Sequence, residues 1–273
     1  MSSHDPSPLG KATGYPDRYD ASLLFSIDRA AQRDALGLRG ALPFRGADLW
    51  TAYEISWLDA RNKPQLAIGE LRIPADSPAT VESKSLKLYL GSFAQEPVAT
   101  SARLAQTIVG DLNSICQAEV EFVLHPAMVS GAPGIAELPG VSVDNEDGAA
   151  DAAAPDPALL SVGATIAEET LSSALFRSNC PVTGQPDYAD VMVRYRGPRI
   201  DRASLLSYLL SYRRHAAFHE SCVERIFVDL AAHCRPERLT VYARFTRRGG
   251  IDINPFRSNY EAPPPASQRT PRQ

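Results

Sequence analysis

The segment from Ser130 to Pro157, SGAPGIAELPGVSVDNEDGAADAAAPDP, constrains the fold more than any other feature of the chain. It mixes alanine, glycine, proline and acidic residues without an apolar period, so it buries too little to build a core and parts the chain into two halves. The same composition recurs in the tail EAPPPASQRTPRQ. The expected layout is a flexible N-terminus over 1–19, a first module over 20–128, a linker over 129–157, a second module over 158–260 and a disordered tail over 261–273. A length of 273 residues suits two domains of ordinary size.

Each half carries elements in a similar order. In the first, LWTAYEISWL (49–58) and QLAIGELRIP (65–74) are β-rich runs joined by DARNKP, which has hairpin chemistry. Residues 98–116 repeat apolar side chains at Leu104, Ile108, Leu112 and Ile115, the period of an amphipathic helix, and 118–126 returns to strand character. In the second, 188–197 reads as a strand, 201–215 and 218–234 as helices with Asp201 as N-cap, and 238–250 as a half-buried strand alternating Leu239, Val241, Ala243 and Phe245. The predicted class is α+β, with antiparallel sheets covered by helices on one face. Element order alone carries the duplication, since no residue-level repeat is visible.

A net charge of −4 argues against a broad basic surface for nucleic acid while leaving room for local basic patches, and no apolar run nears the roughly 18 residues of a membrane span. The first residues, MSSHDPSPLG, lack the basic start and apolar core of a secretory signal, which makes the cytoplasm the expected compartment. Cys116, Cys180, Cys222 and Cys234 form no C-x-x-C pair, so neither a disulfide framework nor a zinc ribbon is indicated.

Four stretches can carry chemistry. In LFRSNCPVTGQPDYADV (175–191), Pro181, Gly184 and Pro186 exclude a helix and put Cys180 on a loop, with Asp187 downstream as a proton partner for a thiol nucleophile; an inert thiol explains the cysteine alone equally well. In VESKSLKLYLGSF (81–93), Lys84, Lys87 and the serine hydroxyls suit phosphate, although an amphipathic strand running into a helix with a solvated charged face accounts for the pattern too. There is no Gly-rich fingerprint for a nucleotide elsewhere. FHESC (218–222) puts His219 and Glu220 at a helix start, where Glu220 either complements the helix dipole or reads a pair of N–H groups on a guanine-like base. RRGGIDINPFRS (247–258) offers Arg247 and Arg248 to phosphate and Gly249 and Gly250 to close backbone approach, or is simply a strand end with a tight turn.

Together, ESKSLKLYL (82–90), SNCPVTGQPDYADV (178–191), FHESCVERI (218–226) and RRGGIDINPFR (247–257) resemble the QueF family, the NADPH-dependent 7-cyano-7-deazaguanine reductases, in its longer two-module branch. The resemblance implies tandem tunnelling-fold modules and reduction of a nitrile to a primary amine with two NADPH and no metal, in the making of the modified tRNA base queuosine. It implies Cys180 as the nucleophile that forms a covalent thioimide and Asp187 as proton donor. It further implies Val81, Glu82, Ser83, His219 and Glu220 around the substrate, and Ser83, Lys84, Arg248 and Gly249 at NADPH. A small-molecule deazaguanine is the expected partner, with no direct contact to nucleic acid, no membrane and a homodimer as the assembly. Two rivals stand beside it. A zinc-dependent cyclohydrolase of the same fold needs a ligand cluster that His4, His125, His215, His219 and His233 do not spell out in the sequence. A non-catalytic binder of a purine-like ligand needs no thiol.

Overall fold

The computed structural model describes residues 14–126, 134–149, 152–264 and 268–273. In chain order its elements are β1 (Ser26–Asp28), α1 (Ala30–Asp34), β2 (Arg45–Leu58), β3 (Pro64–Pro74), β4 (Ala79–Val81), α2 (Ser83–Ser92), α3 (Ser101–Cys116), β5 (Glu121–Pro126), β6 (Val141–Ser142), β7 (Val162–Asn179), β8 (Pro186–Ile200), α4 (Arg202–Leu210), α5 (His219–His233), β9 (Arg238–Phe245) and β10 (Ile251–Ser258). The chain is a mixed α+β protein whose strands pair mostly antiparallel. It divides into two compact units: described residues within Met1–Ala31, Leu49–Ala132 and Arg248–Ile251 form one, and those within Gln32–Asp48, Pro133–Arg247 and Asp252–Gln273 the other. Among the described residues no helix is long and apolar enough to cross a membrane.

In the first unit, strands run in the order β5-β3-β2, and β1 pairs with β4 as a separate ribbon. The DARNKP turn closes through Asp59, whose carboxylate accepts from the N–H groups of Arg61 at 2.8 Å and Lys63 at 3.0 Å while Asn62 takes a left-handed φ of 58°. Those donors hold the Asp59 carboxyl below its usual range. Helix α3 starts at Thr100, whose hydroxyl accepts from Arg103 N–H, and buries Leu104, Ile108, Leu112 and Cys116; Ile115 stays half-buried. The charged stretch after Val81 is helical from its first serine, so Lys84 and Lys87 lie one turn apart on α2 rather than alternating along a strand.

In the second unit the order is β10-β9-β8-β7-β6, with only β6 and β7 parallel. The eighteen-residue β7 and the wholly buried β10 fall where the sequence shows no clean alternation. Asp201 caps α4 through Ser204 N–H at 2.8 Å, as expected. The supposed linker is built in part: Val141 and Ser142 pair with Leu171 and Ser172, Val143 is buried, and Asp144 bonds to Ser173 and Ala174. Residues 129–133, 150–151 and 265–267 lie outside the described residues, but Gln268–Gln273 of the supposed disordered tail is held by hydrogen bonds, with Gln273 buried. Composition misleads in both places because strand pairing, a single buried valine and long-range polar contacts hold segments that have no apolar period. At the start of the chain, residues 1–13 lie outside the described set, while Arg18 and Tyr19 bond to Gln95 and Asp111.

The structure exposes a repeat that the sequence conceals. In the first unit Ser85 Oγ donates to the Glu82 carbonyl, Ser92 Oγ to the Tyr89 carbonyl, and Tyr89 OH to Asp111 at 2.6 Å. In the second, Ser204, Ser211, Tyr208 and Asp229 make the same bonds, the last at 2.7 Å. Tyr89 meets Phe93 edge-on at 5.3 Å, and Tyr208 meets Tyr212 at 5.6 Å. Buried Leu104, Ile108, Leu112 and Cys116 correspond in order to Cys222, Ile226, Leu230 and Cys234. Burial first, then Asp111 for Tyr89 and Tyr212 followed by Asp229 for Tyr208, pushes both phenols upward, so both remain donors.

Candidate active site

The second unit gathers four of the expected residues. After Ser173 the buried positions of β7 fall at Phe176 and Ser178, and the alternation carries on to buried Cys180. Asn179 pairs with Pro186 across the hairpin, and Cys180 N–H donates to the Gln185 carbonyl at 2.8 Å. Gly184 N–H closes the turn onto the Cys180 carbonyl at 3.0 Å, with Gly184 itself at a φ of +68° that a side chain would strain. Asp187 lies opposite Ser178, which makes Cys180 its diagonal neighbour, a relation that spans about 7–8 Å in an antiparallel ladder.

Asn179 ties this hairpin to the entry of α5. Its N–H donates to the His215 carbonyl, its carbonyl accepts from Ala217 N–H at 3.1 Å, and its amide reaches the Arg213 carbonyl. His219 and Glu220 then open α5, which has no side-chain cap, so the positive end of its dipole lies beside the site carboxylates. His219 Nε2 is 3.3 Å from Asp187 Oδ2, and its ring stacks on Phe245 at 3.9 Å with an interplanar angle of 13°. Its Nδ1 is buried without a hydrogen-bond partner, a polar atom that a bound molecule can satisfy. Cys222, one turn along, is the wrong thiol for a nucleophile. Burial pushes it up to about 12 against the pull of the Ser178 hydroxyl, and the charges of Asp187 and Glu220 add to the rise.

The remaining expected residues belong to the first unit. Val81 ends β4 and is buried. Glu82, also buried, caps α2 with both carboxylate oxygens, each accepting a backbone N–H at 2.8 Å from Lys84 and Ser85. A carboxylate has about four acceptor positions, so capping leaves room for a second partner. Ser83, Lys84 and Lys87 follow on the same helix, and Lys87 Nζ stands 4.0 Å from Glu54. Gly249 and Gly250 face this group with left-handed φ values of +61° and +79°. A Cβ on Gly249 would meet Lys87 Nζ at 2.8 Å, and one on Gly250 the Glu54 carboxyl carbon at 2.4 Å, so the turn after Arg248 needs both glycines. Lysines, a serine hydroxyl and an arginine beside an open backbone form a donor set that fits a phosphate-bearing cofactor. Among the described residues no group of three or more His, Cys, Asp or Glu side chains is placed to hold a metal.

Three participants escaped sequence reasoning. Phe245 was visible as an inward position of its strand, but nothing marked it as the support of His219; Asn179 carried only its adjacency to the cysteine; Glu54 carried no signal.

Fold and site together define a class: a mixed α+β enzyme with a buried thiol and carboxyl at one hairpin and a part-buried imidazole beside them. Comparison with known proteins narrows it. A family model described as nitrile reductase, 7-cyano-7-deazaguanine-reductase N-term, matches residues 15–124, and one described as QueF-like protein matches residues 186–264. The chain is 54% identical over 269 residues to the NADPH-dependent 7-cyano-7-deazaguanine reductase of Burkholderia ambifaria strain MC40-6, covering 98% of each chain. Similarity of 53% to the protein of that name from Burkholderia multivorans and of 54% to that from Burkholderia vietnamiensis has the same coverage. The apo crystal structure of archaeosine synthase QueF-Like aligns at 16% identity over 37% of this chain and 99% of that one, with a TM-score of 0.32, a likeness too slight to bear weight. The chain belongs to the family of NADPH-dependent 7-cyano-7-deazaguanine reductases.

Proposed function

We propose that this chain reduces the nitrile of 7-cyano-7-deazaguanine to the aminomethyl group through Cys180, Asp187 and His219. The observation that carries the reading is one buried cluster: a hairpin thiol diagonal to a carboxyl that lies 3.3 Å from an imidazole. A nitrile resists direct hydride attack, and covalent addition divides the reduction into easier steps. The Cys180 S–H bond breaks as its proton passes to Asp187, the sulfur adds to the nitrile carbon so that a C–S bond replaces one carbon–nitrogen π bond, and Asp187 delivers the proton to the nitrogen, giving the thioimide. Bound NADPH supplies hydride to that carbon, once for each of the two reductions. After the first, the nitrogen lone pair expels sulfur as thiolate and leaves an imine, which has to be kept from water until the second. His219, held flat by Phe245, fixes the position of Asp187 through their 3.3 Å contact.

Glu220 reads the N–H edge of the base with His219 beside it. We assign Val81, Glu82 and Ser83 to the base as well, and Ser83, Lys84, Arg248 and Gly249 to NADPH. The repeated helix pair supports tandem tunnelling-fold modules. Among the described residues, edges without a strand partner on β5 and on much of β7 support closure by a second copy, in a homodimer. Four free cysteines suit the reducing cytoplasm, and the net charge of −4 suits work on the free base rather than on RNA.

The test is intact-protein mass after mixing with 7-cyano-7-deazaguanine. Without NADPH the native chain is expected to gain the mass of one nitrile, and with NADPH to lose it as two cofactors are oxidised per nitrile. An unmodified native chain, or oxidation of one cofactor per nitrile, contradicts the mechanism. The cofactor assignment has its own measure. Arg248→Ala is expected to raise KM for NADPH about tenfold or more, the scale of a lost charged hydrogen bond. The preference for NADPH over NADH should shrink with it if Arg248 holds a phosphate; an unchanged ratio removes Arg248 from the site.

A further inference from the structure

The ladder between β7 and β8 is interrupted. Ser173 pairs with Val191 and Phe176 with Ala189, so Ala174 and Leu175 oppose Asp190 alone, which is a β-bulge. Only the short end beyond it, Phe176–Asn179 against Pro186–Ala189, carries Asp187 and leads into Cys180. A bulge removes ladder partners and sharpens the local twist, so the direction of this end depends on whatever holds the bulge.

Two segments without a place in the sequence reading hold it. Asp144 accepts the Ser173 hydroxyl at 2.6 Å through Oδ1 and the Ala174 N–H at 2.9 Å through Oδ2. From the tail, Arg272 Nη2 donates to the Ala174 carbonyl at 2.7 Å and the Ala189 carbonyl at 3.1 Å, and pairs with the carboxylate of Asp190 opposite the bulge. Gln273 Nε2 donates to the Phe245 carbonyl at 2.9 Å and to Asn254 Oδ1 at 2.8 Å. Phe245 is both the ladder partner of Ala189 and the ring beneath His219, so Arg272 and Gln273 grip one cross-strand pair two residues from Asp187. The tail is itself braced, with Thr270 N–H donating to Gln273 Oε1 and Arg269 to the Gln273 carbonyl.

We infer that Arg272 and Gln273, together with Asp144, are positioning residues that set the bulged hairpin so that Cys180, Asp187 and His219 meet the nitrile in register. This rests on the site reading proposed above. The contacts are polar and confined to the bulge and its neighbours, while the apolar residues of α4, α5 and β8–β10 make the core without them. Loss of the tail therefore displaces the site more than it unfolds the unit.

Arg272→Ala, Arg272→Lys, Gln273→Ala and a chain lacking Gln268–Gln273 would be compared with the native protein. The readouts are kcat, KM for the nitrile, Tm, and the pH dependence of Cys180 alkylation by iodoacetamide, mapped by mass spectrometry. Arg272→Ala and the deletion are expected to lower kcat about tenfold or more, since small misplacements of reacting groups cost up to about a hundredfold. KM and Tm should move little, the alkylation profile should shift, and lysine at 272 should restore part of the rate. A deletion variant within twofold of native kcat overturns the inference, as does a loss of rate that only follows Tm with the alkylation profile unmoved. If the native chain forms no nitrile adduct, the proposed function fails by itself, and the alkylation profile still decides whether the tail sets the hairpin.

Discussion

Cys180→Ala is expected to form no nitrile adduct and to lose at least about 10⁴-fold in kcat, the scale seen when a covalent enzyme loses its nucleophile. Nothing else in the site can take over. Cys222 is kept protonated by burial, with its thiol near 12, and Ser178 offers only a weakly acidic hydroxyl. Binding should survive, because Glu220 and His219 remain, so the Kd for the nitrile is expected to stay within a few fold. Removing one buried sulfur should cost about 1–2 kcal/mol of stability. Asp187→Asn separates the two halves of the chemistry: the thiol stays, the proton donor goes, and the loss should be about 10²–10⁴-fold. Single-turnover mass spectrometry of both variants checks the pair. An adduct on Cys180→Ala at the native rate, or turnover above a tenth of native, would remove sulfur chemistry from the mechanism.

The cysteine loop was legible because Pro181, Gly184 and Pro186 forbid a helix whatever the surroundings. The long helices were legible from apolar period, and Cys116 rather than Ile115 closes the buried row of α3 because the helix runs one residue past the apolar cluster that the eye picks out. Strand β7 was hidden by its own bulge. Buried positions sit at Ala167, Leu171 and Ser173 before it and at Phe176 and Ser178 after it, so the two-residue period changes parity in the middle. Ile166 at 68% exposure and Leu175 at 43% then place apolar residues on the wrong face.

Site residues were legible as types and spacings, while their second jobs were not. Glu82 looks like a free acid in the sequence, yet it is the cap of α2, as Asp201 is of α4. The repeat was concealed because it is kept in hydrogen bonds and buried positions, with Leu104 standing where the other unit has Cys222. The bulge contacts of Asp144 and Arg272 were beyond reach for another reason: each pairs with residues far along the chain inside segments whose composition argues against structure.

The largest expected effect on stability lies away from the thiol, in the four buried charges that join α1, β2, α5 and β10. Arg257 is fully buried, with Nη1 2.8 Å from Asp48 and Nη2 2.8 Å from Glu224, and its guanidinium lies over the Phe44 ring at 5.5 Å. Arg33 adds a bidentate contact to Glu224 at 2.7 and 3.0 Å. Two cations and two anions balance, so removing any one member leaves a net charge in the interior. Glu224→Ala leaves Arg33 and Arg257 in the interior with Asp48 as the anion of the group, a loss expected to cost about 3–5 kcal/mol. For a chain of this size that corresponds to a fall in Tm of about 6–15 °C. Burial alone would raise the Glu224 carboxyl, but Arg257 and then Arg33 outweigh it and hold it below the usual glutamate range. Its contribution is therefore complete at neutral pH, declines once pH drops below the ordinary glutamate value, and is gone when pH has fallen through the lowered one. Melting curves of the native chain and Glu224→Ala should differ most near pH 7 and converge in acid. Because Glu224 lies one turn beyond Glu220 on α5, the variant should also lose activity at temperatures where it remains folded. A difference below about 1 kcal/mol at pH 7 would mean that water enters and solvates the stranded arginines, so that the charges do not lock these elements together.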